Sequence, residues 1–277
     1  MTTSLPLPAP LSPGSFEMFE YHPGGALTGV VSRMTGYRES FHGHARQREG
    51  ASLTIPLVIS FGEPFRIGLG RHPTIEDRVG SFAAGLFAGP VVIDSFGQSD
   101  CLQIDFTPQG ARRFFRFPMH ELAGRMADLG DVLGPEGASL RERLANTASW
   151  RKRFAIAEHH VAQRIAEPLP SGLRIRAAYE RIEGSGGRIA VSRLAEFADC
   201  SRKHLNNAFR EEIGLSPKSL ARIVRFQRTM RVARSTDLGW AEIAAECGYA
   251  DQAHMAREFQ ALSDSTPSAW RSSFNLT

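Results

Sequence analysis

The chain has 277 residues, a formal net charge of +4, 42% hydrophobic residues and 22% charged residues, which are ordinary values for a folded protein of about two domains. They exclude a mainly disordered, collagenous or coiled-coil chain, and no run of uncharged apolar residues is long enough for a transmembrane helix. Cys101, Cys200 and Cys247 are too few and too scattered for a disulfide framework or a four-cysteine zinc site, which predicts a reduced, cytoplasmic protein.

Residues 1–15 carry four prolines and no Lys or Arg, so they read as a flexible Pro-rich tail rather than a signal peptide. The next stretch is β-prone. Apolar runs at Ser52–Phe61, Ser81–Ala88, Val91–Asp94 and Leu102–Phe106 are separated by turn residues, which predicts an antiparallel sandwich or small barrel. From Thr107 the period changes. Short helices are expected at Pro108–Phe115 and Met119–Met126, and another begins at Leu140–Ala145. Trp150, Phe154, Ala157, Val161 and Ile165 mark one face of a longer helix. The segment Glu167-Pro-Leu-Pro-Ser-Gly172 then breaks the pattern. This divides the chain into a domain at 16–167, a linker at 168–172 and a second domain at 173–277.

Within the first domain, Gly36-x5-His42-x-His44-x4-Glu49 has the spacing of a cupin metal motif, and two imidazoles with a carboxylate suit Fe or Zn. The closing glycine of that motif is Pro56, no second motif follows, and His42–Gly50 is polar enough to read as an exposed loop. No cofactor is therefore expected, and a metal-dependent cupin-type enzyme fused to a second module is the alternative reading. His159 and His160 are adjacent, so they do not share a helix face and make no metal pair.

The second domain reads as all-helical and carries charge unevenly. Residues 171–277 hold 16 basic and 12 acidic residues, and the span Arg202–Arg234 alone holds nine basic and two acidic, which suits a polyanionic partner. It also contains an internal repeat of about 50 residues. Leu194–Phe209 aligns with Ile243–Phe259, bringing His204 to His254, Leu205 to Met255 and Phe209 to Phe259. Ser216-Pro217 follows the first unit and Thr266-Pro267 the second, each a hydroxyl N-cap with proline at the first helical position. Each unit is a short helix, a tight turn and a second helix. Gly248 supplies a positive φ at the second turn, Asp199 stands at the same place in the first, and Ser201 and Asp251 cap the second helices. This is a helix-turn-helix, twice.

Residues 173–271, and Ala241–Phe259 above all, resemble the DNA-binding domain of the AraC family of transcription regulators. The first half is similar to effector domains of one branch of that family. The resemblance implies an α+β chain with a β-rich sandwich or barrel-like domain and following helices, then an all-α domain whose two helix-turn-helix units are joined by a connector helix, Pro217–Arg234. It implies a sequence-specific regulator that binds double-stranded promoter DNA and no membrane. RNA polymerase, a small-molecule effector and a second copy of the chain are the further partners it admits. Outward positions early in each second helix would read bases: Arg202, Lys203, Asn206 and Asn207 in the first unit, and Gln252, His254 and Arg257 in the second. Ser201, Asp251 and the connector residues Arg222, Arg225 and Arg228 would meet the DNA backbone, unless the arginines only keep that helix soluble. His204 and Trp240 are assigned to packing. Two departures stand out: Asp264 and Ser265 replace a glycine and an apolar residue expected by analogy with Gly214 and Leu215, and Ala250 replaces a usual serine.

Overall fold

The computed structural model describes residues 15–167, 169 and 172–273. The Pro-rich tail, apart from Ser15, and Pro168, Pro170 and Ser171 of the expected linker lie outside the described residues.

Ten strands form two antiparallel sheets. In chain order they are β1 (Ser15–Tyr21), β2 (Val31–Ser40), β3 (Ala45–Glu49), β4 (Ile55–Ser60), β5 (Phe65–Leu69), β6 (Arg78–Val79), β7 (Phe82–Ala84), β8 (Val91–Ser95), β9 (Asp100–Phe106) and β10 (Met126–Asp128). One sheet runs β1-β2-β9-β4-β7-β10 and the other β3-β8-β5-β6. Apolar residues on their inner faces, among them Met34, Ile55, Leu57, Ile59, Leu102, Ile104 and Phe106, are almost wholly buried. The fold is a β-sandwich followed by helices, then an all-α region.

Two sequence expectations differ from the structure. His42–Gly50 is no loop: Ala45–Glu49 is β3, paired residue by residue with β8 at the edge of its sheet. An edge strand with half-exposed alternation needs no apolar run, so ARQRE gave no hydrophobic signal. Met119–Met126 is not a helix. It makes a 3-10 turn at Met119–Glu121, and Met126 then opens β10 against β7.

The helices of the first half are α1 (Pro108–Phe115), α2 (Leu129–Leu133), α3 (Pro135–Ala145) and α4 (Trp150–Ile165). Thr107 caps α1 through the Gly110 N–H at 2.9 Å. Phe154, Ala157, Val161 and Ile165 are buried, as the spacing of α4 predicts. The Trp150 ring lies over Gly36 of β2, where a Cβ would come within 2.3 Å of it, so only glycine fits beneath the indole. Buried Arg153 fastens α4 to the sandwich through Asp100, 3.2 Å away, and its guanidinium stacks over Trp150 and Phe61.

The second half contains α5 (Leu173–Gly184), α6 (Val191–Phe197), α7 (Arg202–Ile213), α8 (Pro217–Ser235), α9 (Trp240–Cys247), α10 (Gln252–Ser263) and α11 (Pro267–Ser272). The two halves touch at several points. The Ala51 N–H donates to the Leu262 carbonyl at 2.8 Å, Arg48 pairs with Asp264 at 3.2 Å, and Arg112 approaches Glu212 at 3.8 Å. Among the described residues no helix is long and apolar enough to cross a membrane.

Candidate nucleic-acid interface

Each repeat unit is built by local signals. In the first, α6 ends at a turn in which Asp199 holds φ +50°, and in the second α9 ends at Gly248 with φ +78°. The turns thus share one left-handed position, which glycine adopts freely and aspartate tolerates. The Ser201 side chain accepts the His204 N–H at 3.1 Å, and Asp251 Oδ1 accepts the His254 N–H at 2.6 Å. Both oxygens are committed to N-caps. Ser216 caps α8 through the Ser219 N–H, and Thr266 caps α11 through the Ala269 N–H.

The second helix of each unit buries one stripe and exposes the opposite one. In α7, Leu205, Phe209 and Ile213 are inside. In α10 the buried set is Met255, Glu258, Phe259, Leu262 and Ser263. Arg202, Lys203 and Asn207 are exposed and Asn206 is half-buried. Gln252 and Arg257 are exposed, while His254 is half-buried with its ring edge-on to Tyr249 at 5.4 Å. Arg202, Lys203 and Arg257 form no ion pair among the described residues. His204 is exposed, against the packing role expected of it. It precedes Leu205 by one residue, and a 100° step carries it off the buried stripe. Trp240 is half-buried against the core, with the Arg271 guanidinium 3.9 Å above its ring.

The connector arginines have a third fate beyond phosphate contact and solubility. Arg225 reaches Glu258 Oε1 from Nη2 at 3.1 Å, and Arg222 Nε reaches Oε2 of the same carboxylate at 3.1 Å. The Arg225 guanidinium also lies 4.8 Å over Tyr249, whose phenol burial pushes up to about 12. Arg228 pairs more loosely with Glu246, at 3.6 Å. Glu258 is 7% exposed, so its charge requires these partners. The clamp fixes α10, and with it Gln252 and Arg257, onto α8. The sequence carried a signal for this: Glu258 sits on the 255, 258, 259, 262 face, where a carboxylate must find cations.

The C-terminal ends of α7 and α10 face the first half of the chain. Gly214 caps α7 at φ +95°, and a Cβ there would meet the Met119 carbonyl oxygen at 3.1 Å. Asp264 takes the corresponding left-handed position after α10, φ +54°, and pairs with Arg48. The departure from glycine therefore coincides with a contact that glycine could not make. The N-terminal halves of α7 and α10 remain exposed.

The metal motif is not assembled. His44 Nε2 lies 3.2 Å from Asp94 Oδ1 and its ring stacks on Phe96, whereas Glu49 accepts from Gln47 at the far end of β3. Five residues of strand separate His44 from Glu49 by roughly 17 Å and an odd spacing sends them to opposite faces. Among the described residues no group of three or more His, Cys, Asp or Glu is placed to hold a metal ion.

Comparisons with known proteins reach the helical half alone and, at low identity, the whole chain: ToxT from Vibrio cholerae is 8% identical and aligns with 94% of this chain and 98% of its own, with a TM-score of 0.44. A helix-turn-helix domain family matches residues 194–273. An uncharacterized HTH-type transcriptional regulator of Haemophilus influenzae is 31% identical over 86 residues, which are 31% of this chain and 29% of that protein. The chain thus spans less than a third of the length of that relative. The C-terminal domain of AraT, a response regulator from Geobacillus stearothermophilus, is 26% identical and aligns with 36% of this chain and 84% of its own, with a TM-score of 0.34. A probable AraC family transcriptional regulator from Rhodopseudomonas palustris is 25% identical over 36% of this chain and 96% of its own, with a TM-score of 0.34.

Proposed function

We propose that the C-terminal helix-turn-helix pair, which matches a helix-turn-helix domain family over residues 194–273, is of the AraC type and that the chain binds promoter DNA by sequence. One observation carries the proposal: two helices of the same construction present basic and amide side chains, without ion pairs among the described residues, at their exposed N-terminal ends, with their apolar stripes buried behind. A helix so presented fits the major groove, where Arg and Lys suit guanine acceptors and Asn and Gln suit adenine. Arg202, Lys203, Asn206 and Asn207 form one reading set, and Gln252, His254 and Arg257 the other. Exposed His204 joins the first set as a candidate.

Ser201 and Asp251 serve as caps in this proposal, and a carboxylate such as Asp251 gives a phosphate nothing to accept. Arg222 and Arg225 position α10 through Glu258 rather than gripping phosphate. Arg228, whose pairing is longer and exposed on one side, keeps the phosphate role. The boundary between the two domains is placed at residues 168–172, and the sandwich with its helices is assigned to signal reception or self-association.

The test selects an operator from random duplexes with the full chain, then compares Arg257→Ala on operator and random DNA at one salt concentration. Loss of about 1–3 kcal/mol at the operator, with a much smaller change on random DNA, is expected of a bidentate base contact. Equal losses would reassign Arg257 to the phosphate backbone. An absence of any DNA binding by the full chain at low salt would overturn the function.

A further inference from the structure

Away from the helix-turn-helix units, a cleft of about 450 Å³ opens between α3, α4 and the residue that ends α1. Its size suits a metabolite. Its charge is unusual: Arg116, Arg143 and Arg164 line it against Glu136 and Glu167. Both carboxylates are on exposed side chains, 61% and 81% accessible, and each pairs with one arginine, Glu136 with Arg164 and Glu167 with Arg116. Arg143 has no ion pair among the described residues, which leaves the cleft with one uncompensated guanidinium.

Two further features point to a ligand. His160 is 9% exposed and lines this cleft. Burial and the nearby Arg164 and Arg143 guanidinium groups also hold the imidazole pKa below its ordinary value. The ring is then neutral near pH 7 and donates one N–H without adding charge. Arg116, for its part, ends α1 in the left-handed conformation, φ +65°, where glycine is the usual choice. Its side chain lies across the end of α4, donating to the Arg164 and Glu167 carbonyls and meeting the Glu167 carboxylate at 3.3 Å.

We infer that this cleft binds the carboxylate group of a small organic acid, with Arg143 and His160 as its anchoring donors. A single excess positive charge matches a monoanion better than a dianionic phosphate. A planar guanidinium grips a carboxylate through two parallel hydrogen bonds. Glu167 offers Arg116 the same group that the ligand carries, so an incoming acid competes with it at the end of α4. The inference goes beyond DNA binding and stands if that function falls, because its test contains no DNA.

The test follows the histidine ring signals of the full chain by NMR while benzoate, hexanoate or inorganic phosphate is added at constant ionic strength. The His160 signal is the one missing in His160→Gln. Should that variant not fold, single replacements of the other eight histidines assign it by elimination. Benzoate or hexanoate is expected to move the His160 signal saturably. Arg143→Gln, a change at an exposed position, is expected to raise the half-saturating concentration at least tenfold without altering the ligand-free melting temperature. The inference is overturned if neither carboxylate moves the signal by 20 mM, if phosphate acts at equal or lower concentration, or if Arg143→Gln binds as the parent does.

Discussion

Replacing Glu258 with alanine separates a structural role for the connector arginines from a DNA-contacting one. The carboxylate is 7% exposed and takes hydrogen bonds from Arg222 and Arg225, whose side chains are 34% and 16% exposed. Breaking a buried ion pair by deleting one partner costs about 3–5 kcal/mol, because the other charge is left uncompensated. Arg222 recovers part of its hydration here, while the lost methylene and carboxyl leave a small void. The expected loss is therefore about 3 kcal/mol. Urea unfolding followed by tryptophan fluorescence reads it, since Trp240 and Trp270 both lie in the helical half. The loss should persist in 1 M salt, where exposed pairs are screened. Replacing all three charges together, Arg222→Met, Arg225→Met and Glu258→Leu, should restore most of the stability, since apolar groups of similar volume commonly substitute for a buried ionic cluster. A loss below 0.5 kcal/mol for Glu258→Ala, or a triple variant no more stable than the single one, would refute the clamp.

Other outcomes follow from the same geometry. Arg202→Gln and Lys203→Gln should each weaken binding to DNA, and where the contact is to phosphate the slope of affinity against salt should shrink by about one unit, as measured by fluorescence anisotropy across a salt series. Gly248→Ala should cost about 1–2 kcal/mol in urea unfolding, since its φ of +78° is left-handed and the new Cβ would crowd the Arg188 side chain at 2.7 Å. Glu49 is pushed up to about 7, first by burial and then by Asp105. The folded state consequently holds this proton where the unfolded chain has released it, so stability should fall as pH rises from the ordinary carboxylate range to about 7 and level off above. Glu49→Gln should flatten that segment of the stability profile, and an unchanged slope would show that Glu49 does not set it.

Much of the DNA-binding half was legible because its signals are local. Caps at Ser201, Asp251, Ser216 and Thr266 act within three residues, and the left-handed turns at Asp199 and Gly248 follow from single side chains. The apolar stripes of α7 and α10 are periodicities that any helix must bury. Strands such as β4 and β9 announced themselves by apolar runs for the same reason. The expected outward residues Arg202, Lys203, Gln252 and Arg257 followed from the stripes, being what lies opposite them.

Other features depended on partners far away in the chain. β3 is a strand because β8 supplies its hydrogen bonds more than 40 residues later, and its own polar sequence encodes only alternation. Met126–Asp128 is drawn into strand by β7 in the same way. Arg222 and Arg225 look like a basic helix face until α10 folds back and sets Glu258 between them, 33 residues from Arg225. Asp264 looked like a flaw in the second unit until Arg48 met it across 216 residues. His160, unremarkable beside His159, becomes the wall of a charged cleft only when α3 and α4 pack together. In short-range matters the chain's own dihedral preferences and periodicity decide the outcome. Where burial removes water from a charge or an amide, the group's role is set by whichever partner the tertiary fold delivers to replace that water.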